Sequence, residues 1–185
     1  MGYTVFLDRD GVINKDSAGY IKDASEFEFI PRSPEAIALL TQNGFQVIVI
    51  TNQSMIGRNF ASKEALEAIF EKMKTGVRAA GGRVTDIFYC PHVDEDRCSC
   101  RKPEPGLIFQ AQKKYQIHLT RSFMVGDSAK DMDCARNAGC AKALLVKTGN
   151  GRTALADLIN RCQAPDYVAE DLYDAACWII ESVKS

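Results

Sequence analysis

Two aspartates, Asp8 and Asp10, follow the first apolar segment of the chain, Tyr3 to Leu7. This segment is typical of a fully buried β-strand, and a charged turn with glycine follows it at once. Two carboxylates at close range disfavour joint ionisation, so a cation is expected beside them. Mg²⁺ prefers oxygen ligands and suits such a pair. The two residues therefore indicate a magnesium site at the end of the first strand.

Polar residues also follow the next three predicted strands: Thr51, the pair Arg101-Lys102, and Asp127. The carboxyl ends of parallel strands meet at one edge of a sheet, so these side chains are expected near Asp8. Such a set can divide the work of phosphoryl transfer, in which positioning and charge neutralisation dominate. One aspartate attacks phosphorus, and a second protonates the leaving oxygen and then activates water. The threonine hydroxyl would bind a phosphate oxygen, and the lysine would supply positive charge.

The segments around these residues predict strands that alternate with helices. The predicted strands are 3–7, 45–50, 86–90, 122–125, 141–146 and a weak one at 166–168. The predicted helices include one capped by Ser33 and one capped by Ser62. This alternation indicates an α/β fold with a doubly wound, Rossmann-like parallel sheet in one domain, residues 1–185. Only about 35 residues separate the first two strands, too few for a large cap domain.

Three cysteines and a histidine lie close together in the chain, at the end of the third predicted strand and just after it: Cys90, His92, Cys98 and Cys100. Three sulfur ligands and one nitrogen suit a closed, tetrahedral, structural Zn²⁺ site. The alternative is a solvent loop with incidental cysteines; a redox pair is disfavoured because the loop has no Cys-x-x-Cys. Zinc would order this polar loop and so fix the adjacent Arg101 and Lys102.

Composition limits the class of protein. Of the 185 residues, 46% are hydrophobic and 25% are charged, as expected of a soluble globular protein. The 24 acidic and 23 basic residues nearly cancel, so no overall charge favours nucleic acid or a membrane surface. No apolar segment is long enough to span a bilayer, and the first motif comes too early for a signal peptide. We expect a cytoplasmic monomer that acts on a small molecule.

The motifs resemble those of the phosphatases of the haloacid dehalogenase (HAD) superfamily, in order and over the whole chain. They are Asp8-Arg9-Asp10-Gly11, Thr51, Lys102 and the segment 126–131. The resemblance implies that Asp8 is the nucleophile and Asp10 the acid/base. It also implies that Mg²⁺ is held by the Asp8 side chain, the Asp10 main-chain carbonyl and the Asp127 carboxylate. Asp131 is either a support of the metal site or a residue of the helix surface.

The cysteine loop, residues 90–100, and the Arg-Lys-Pro-x-Pro-Gly segment after it resemble those of the heptose 1,7-bisphosphate phosphatases and of the related histidinol-phosphate phosphatase domain. The resemblance implies removal of the C7 phosphate in bacterial lipopolysaccharide or S-layer sugar synthesis. It implies substrate contacts for Gly19, Tyr20, Thr51, Asn52, Gln53, Ser54, Arg101, Lys102 and Ser128. Arg101, with Arg58 as a second candidate, could clamp the remote phosphate through two parallel hydrogen bonds.

Three other functions fit parts of the pattern. Histidinol phosphate is the alternative substrate within the same class of enzyme. A receiver-like signalling domain also has a doubly wound sheet with an acid, a hydroxyl and a lysine at strand ends, but it needs no zinc loop. A zinc-stabilised binding module without activity would not depend on Asp8.

Overall fold

The computed structural model describes residues 2–184, in which six parallel strands form one sheet with helices on both faces. The strands are β1 (Thr4–Leu7), β2 (Gln46–Asn52), β3 (Asp86–Cys90), β4 (Ser122–Gly126), β5 (Lys142–Val146) and β6 (Tyr167–Ala169). The helices are α1 (Ser33–Gln42), α2 (Lys63–Ala79), α3 (Gly106–Tyr115), α4 (Ala129–Ala138), α5 (Gly151–Asn160) and α6 (Leu172–Ser182). None of these helices is long and apolar enough to cross a membrane. The predicted doubly wound α/β fold is confirmed; the predicted domain ends, residues 1 and 185, lie outside the described residues.

The strand order is β3-β2-β1-β4-β5-β6. The chain runs from β1 outward through β2 and β3, and then returns to the other side of β1 at β4 before it continues to β5 and β6. Doubly wound sheets bind ligands outside the carboxyl ends of the strands where this winding reverses. Here that position lies between β1 and β4, and these two strands lead directly into Asp8 and Asp127.

The sheet has no face open to solvent at its centre. Val5 and Leu7 of β1 pack into the core beneath α1, α2 and α6, whereas Phe6 packs into the core beneath α3, α4 and α5. All three side chains are fully buried. Central strands buried on both faces are almost continuously apolar, as the sequence of β1 shows. They give a rigid base to the loops at their carboxyl ends.

One predicted helix cap is wrong. The N-cap of α1 is Arg32, in the left-handed region with φ 66°, and not Ser33. The Ser33 hydroxyl instead donates to the main-chain oxygen of Ile13 at 2.6 Å, which ties α1 to the turn after β1. Ser62 does cap α2 as predicted, since its hydroxyl oxygen accepts from the amide of Ala65 at 3.2 Å.

The connection from β1 to α1, residues 8–32, contains no large cap domain, as predicted, and its one helix is the single-turn Ala24–Glu26. Phe27 and Ile30 of this connection are buried in the core. The ring of Phe27 meets that of Phe29 edge-on, with 4.9 Å between the ring centres. The segment is therefore an ordered loop that leaves the carboxyl edge of the sheet open.

Candidate active site

A cavity of about 400 Å³ lies at the carboxyl edge of the sheet. Its lining comes from the ends of five of the six strands and from the loops that follow them: Asp8, Asp10, Asp16, Ser17, Ala18, Tyr20, Thr51, Asn52, Ser54, Arg101, Lys102, Asp127, Ser128, Lys130 and Asn150. Gly19, Gln53 and Arg58 were also candidates for substrate contact, but they are not among the lining residues. Gln53 is buried behind the wall, and Arg58 is exposed outside it.

Lys102 lies between two carboxylates. Its Nζ atom is 2.5 Å from Asp131 Oδ1 and 2.8 Å from Asp8 Oδ1. Burial disfavours the charged ammonium, but the neighbouring Asp131 and Asp8 hold the pKa of Lys102 above its usual value. Lys102 is therefore a permanent cation at the position where the charge of a phosphate would need to be neutralised.

Asp131 is fully buried, which excludes the second of its two predicted positions, the helix surface. Its Oδ2 atom accepts from the Ser128 amide at 3.1 Å and from the Ser128 hydroxyl at 2.6 Å, while Oδ1 accepts from Lys102. These bonds form the cap at the start of α4. A Cβ atom on Gly126 would lie 2.2 Å from the Asp131 side chain, so only glycine fits there. Asp131 thus holds Lys102 and Ser128 in place from behind the cavity.

Two glycines enclose the carboxylate of Asp127. A Cβ atom on Gly11 would lie 2.0 Å from Asp127 Oδ2, and one on Gly149 would lie 2.1 Å from it. Both glycines have positive φ, 77° and 55°. The same oxygen accepts from the Asn150 amide at 2.8 Å. The backbone after β1 and after β5 therefore fixes Asp127 at the edge of the cavity.

The site carries more negative than positive charge. Carboxylate oxygens of Asp8, Asp127 and Asp131 lie within 4.8 Å of one another, around the single ammonium of Lys102. Burial, with the neighbouring carboxylates, raises the pKa of Asp8 to about 7 and that of Asp127 to about 8. A divalent cation that prefers oxygen would relieve this repulsion, so the residues fit Mg²⁺. Because both oxygens of Asp131 are already bonded, Asp8 and Asp127 are the carboxylates that can face the ion.

The residues at the end of β2 have different roles. The Asn52 amide bonds the backbone of Lys102 in both directions, with Nδ2 at 3.2 Å from its oxygen and Oδ1 at 3.1 Å from its nitrogen. Gln53 Nε2 donates to Asp10 Oδ2 and to Thr51 Oγ1, both at 2.9 Å. Asn52 therefore positions the lysine, and Gln53 joins the second aspartate to the threonine.

Arg101 lies at the rim of the cavity. Its Nε atom donates to Asp94 Oδ1 at 2.5 Å, and its Nη1 atom donates to the main-chain oxygen of His92 at 3.2 Å. Lys130 Nζ is 3.6 Å from the same Asp94 oxygen. One carboxylate therefore holds two cations at one side of the cavity, which leaves an excess of positive charge there.

The four predicted zinc ligands come together. Their sulfur and Nδ1 atoms are separated by 3.1 Å for Cys90–Cys100, 3.3 Å for His92–Cys100, 3.4 Å for Cys98–Cys100, 3.5 Å for Cys90–His92 and 3.6 Å for Cys90–Cys98. A tetrahedron with edges of about 3.4 Å has its centre about 2.1 Å from each corner, close to the length of zinc bonds. The cluster is thus shaped to hold a tetrahedral ion.

The cysteine loop is anchored to the loop after β2. The main-chain N–H of Gln53 donates to the main-chain oxygen of Cys90 at 2.7 Å, and the main-chain N–H of Gly57 donates to that of Pro91 at 3.0 Å. A Cβ atom on Gly57 would lie 2.6 Å from the Pro91 oxygen, which requires glycine. The cysteine loop therefore supports the loop after β2 through these bonds, and it leads directly into Arg101 and Lys102.

Several residues of the site or its immediate support were missed from the sequence: Arg9, Asn14, Asp16, Ser17, Ala18, Asp94, Lys130 and Asn150. Asn14 Nδ2 donates to Asp10 Oδ1 at 2.9 Å, and Asn150 bonds Asp127. Arg9, Asn14 and Lys130 lie within or beside the recognised motifs, where their polar side chains were a usable signal. The Gly-Asn-Gly segment that contains Asn150 was interpreted only as a turn, because the sequence does not say that β5 lies beside β4.

The chain is similar in sequence to known phosphatases. The HAD-hydrolase-like family model matches residues 99–175. The D-glycero-beta-D-manno-heptose-1,7-bisphosphate 7-phosphatase of Pseudomonas aeruginosa is 47% identical over 147 residues, which cover 80% of this chain and 82% of the relative. The enzyme of that name from Bordetella bronchiseptica is 44% identical over 152 residues, which cover 82% and 84%.

A solved structure of an enzyme of this kind has the same fold. The D,D-heptose 1,7-bisphosphate phosphatase of B. bronchiseptica, complexed with magnesium and phosphate, matches this chain with a TM-score of 0.90 and 40% identity over 97% of this chain and 99% of that one. The fold and the site thus define a phosphatase of the HAD superfamily. Within it, the chain belongs to the family of the D-glycero-D-manno-heptose 1,7-bisphosphate 7-phosphatases.

Proposed function

We propose that this protein removes the C7 phosphate of D-glycero-D-manno-heptose 1,7-bisphosphate, with the β anomer as its preferred substrate. The observation that carries the proposal is the position of Asp8, whose carboxylate lines the cavity beside Lys102 and close to Asp127. The relatives at 44% and 47% identity, both named for the β anomer, support the choice of substrate.

In the first step, a carboxylate oxygen of Asp8 attacks phosphorus. The bond from phosphorus to the sugar oxygen breaks as an aspartyl phosphate forms. Asp10 donates a proton to the departing sugar oxygen and becomes a carboxylate. The Thr51 hydroxyl and the Lys102 ammonium, both on the cavity wall, hold the phosphoryl oxygens during the transfer.

In the second step, a water molecule attacks the phosphorus of the aspartyl phosphate. Asp10 takes a proton from this water, so the residue returns to its starting state. The bond between phosphorus and the Asp8 oxygen breaks, which frees the carboxylate and releases inorganic phosphate. Asp10 has the reach for both roles because it follows Asp8 by two positions and its side chain is partly exposed to the cavity.

Two metals complete the proposal. Asp8 and Asp127 would hold Mg²⁺ through carboxylate oxygens and Asp10 through its main-chain carbonyl, and the bound ion would neutralise charge on the phosphoryl oxygens. Zinc is assigned to the cysteine loop: Cys90, His92, Cys98 and Cys100. This second ion has a structural role, since four protein ligands leave no position open for substrate.

The remote phosphate of the substrate is assigned to the rim of the cavity. Arg101 lines it with a side chain that is 15% exposed, and Asp94 fixes the orientation of its guanidinium. A planar guanidinium can bind two phosphate oxygens at once. Lys130, held by the same Asp94, adds a second cation at this side. Tyr20, Asn52, Ser54 and Ser128 supply the polar remainder of the wall.

Phosphate release tests the proposal. The substrates are both anomers of heptose 1,7-bisphosphate and histidinol phosphate, each with and without Mg²⁺. We expect Mg²⁺-dependent turnover that is fastest with the β bisphosphate, and a loss of at least about 10³-fold for Asp8→Asn. Asp157→Asn is the matched control, because Asp157 is an exposed residue of α5 that pairs with Arg161.

Three results would contradict the proposal in different ways. Preference for histidinol phosphate would replace the substrate but keep the chemistry. A long-lived phosphoaspartate without turnover would indicate a phospho-accepting signalling domain. Unchanged phosphate release by Asp8→Asn would remove the assigned nucleophile.

A further inference from the structure

Arg9 is a buried cation whose side-chain hydrogen bonds, within residues 2–184, all go to Asp10. Its Nη2 atom donates to Asp10 Oδ1 at 2.7 Å and to Oδ2 at 2.8 Å, and its Nε atom donates to Oδ1 at 3.0 Å. The Arg9 side chain is 1% exposed, whereas that of Asp10 is 23% exposed and reaches the cavity. The guanidinium therefore approaches the carboxylate from the protein interior.

Two amides complete the surroundings of the Asp10 carboxylate. Asn14 Nδ2 donates to Oδ1 at 2.9 Å, and Gln53 Nε2 donates to Oδ2 at 2.9 Å. Each oxygen thus accepts from Arg9 and from one amide on another part of the chain. Through Gln53 the same set continues to the Thr51 hydroxyl. The orientation of the carboxylate is determined on every side that the protein covers.

Stability alone does not account for a buried arginine here. The Nη1 atom of Arg9 is buried and has no hydrogen-bond partner among the described residues, and the ring of Phe70 lies 5.9 Å from the guanidinium carbon. Burying a charge and leaving a polar nitrogen unbonded both cost free energy, and an apolar side chain in place of a buried ion pair is often neutral or stabilising. What an apolar residue cannot supply is a planar fork that fixes two oxygens at once.

We propose that Arg9 is a positioning residue, which fixes the carboxyl group of Asp10 in the orientation in which, as the acid, it gives its proton to the leaving oxygen. This inference depends on the proposed function, because that proposal gives Asp10 its role as acid and base. Arg9 itself lies behind the carboxylate and does not line the cavity. It therefore acts through Asp10 and makes no contact with the reacting atoms.

The way in which kcat/KM depends on the leaving group distinguishes a positioning role of Arg9 from a general structural role. A sugar phosphate has a poor leaving oxygen and needs the acid, whereas p-nitrophenyl phosphate has a good one and needs it little. We would measure kcat/KM for both substrates with Asp10→Asn, Arg9→Met and Arg9→Lys. Asp10→Asn should lose about 10²- to 10⁴-fold on the sugar phosphate and far less on p-nitrophenyl phosphate.

Arg9→Met should show the same selectivity, with a loss of at least about 10-fold on the sugar phosphate and less than about 3-fold on p-nitrophenyl phosphate. Methionine fills the site beside the Phe70 ring without a charge, so the variant is expected to fold. Arg9→Lys should remain impaired, because an ammonium cannot hold both oxygens in the arginine geometry. Arg32→Met is the matched control, since Arg32 stacks on the Tyr173 ring at 3.6 Å, away from the cavity.

Comparison of the Asp10 and Arg9 variants distinguishes failure of the inference about Arg9 from failure of the proposed function. If Asp10→Asn shows selectivity for the leaving group and Arg9→Met does not, the inference about Arg9 is overturned and the proposed function stands. An equal loss of Arg9→Met on both substrates, or full activity of Arg9→Lys, overturns it as well. If Asp10→Asn shows no selectivity, the acid/base role of Asp10 and the inference fall together.

Discussion

The Lys102 ammonium lies 2.5 Å from the fully buried carboxylate of Asp131, and this contact joins the segment directly after the cysteine loop to the start of α4. Lys102 reaches Asp131 from a segment that the Asn52 amide holds by its backbone. The same ammonium contacts Asp8 at 2.8 Å. One lysine thus links two of the loops that surround the proposed nucleophile.

Replacement of this lysine should damage both activity and stability. In Lys102→Met, the charge that faces a bound phosphate is gone, and kcat/KM should fall by about 10³-fold. The buried carboxylates lose their cation, so the free energy of unfolding should decrease by about 3 to 5 kcal/mol. Phosphate release and denaturant unfolding check the two effects.

The double variant Lys102→Met/Asp131→Asn separates them. Asparagine removes the buried charge that the lysine had neutralised, so part of the stability should return while activity stays low. A double variant as unstable as Lys102→Met would show that the Lys102–Asp131 pair does not carry the stability.

Gly11→Ala should impair the proposed Mg²⁺ site. Its Cβ atom would lie 2.0 Å from Asp127 Oδ2 and would displace that carboxylate. We expect the Mg²⁺ concentration for half-maximal activity to rise by at least about 10-fold. Gly44→Ala is the control, because Gly44 also has positive φ, 83°, but has nothing within 4 Å of the added atom. Equal effects of both substitutions would attribute the change to backbone strain and not to Asp127.

Stability without Mg²⁺ should decrease as the pH rises. In the folded protein the pKa of Asp8 is raised from 3.8 to about 7 and that of Asp127 to about 8, first of all by burial. The folded state therefore binds more protons than the unfolded state in this range, and its stability is lost as the pH rises through these values. The Tm of the Mg²⁺-free protein should be lower at about pH 8 than at about pH 5.5 by at least about 3 °C.

Mg²⁺ should counteract the loss of stability at high pH. It binds the ionised carboxylates, so its stabilising effect should be larger at high pH than at low pH. In Asp127→Asn one of the two groups can no longer ionise, and the dependence of Tm on pH should weaken. An unchanged dependence in that variant would assign the titration to other groups.

Loss of zinc should reduce activity although no ligand of that cluster is proposed to contact substrate. Cys98→Ser should lower bound zinc from about one ion per chain and decrease Tm, because the cysteine loop has no apolar core of its own. Arg101 and Lys102 follow this loop directly, so kcat/KM should fall too. Cys162→Ser is the control, since Cys162 is exposed and far along the chain in the turn after α5. Full activity in a zinc-free Cys98→Ser protein would contradict a positioning role for the metal.

Arg101 should contribute to binding of the second phosphate and not to the phosphoryl-transfer step. Arg101→Ala should raise KM for the bisphosphate by about 10-fold and leave p-nitrophenyl phosphate hydrolysis nearly unchanged. Arg58→Ala is the control, because Arg58 is exposed and does not line the cavity. A similar effect of Arg101→Ala on both substrates would place Arg101 at the reacting phosphate or in the support of Lys102.

The sequence predicted the strands, most helices and the convergence of Asp8, Thr51, Lys102 and Asp127, because apolar strands and the residues after them are local signals. The sequence did not predict side-chain contacts with residues that are distant in the chain. Ser33 donates to a turn near β1 and does not cap its own helix. Nothing local distinguishes Asn52, which lines the cavity, from the buried Gln53.

The central position of β1 affects how the protein is made. It precedes the other five strands in the chain, yet its neighbours are β2 and β4, and β4 ends only at Gly126. Until then one edge of β1 is unpaired and its apolar side chains lack half of their cover, a state prone to aggregation. A nascent chain of this protein should therefore engage cellular chaperones through β1.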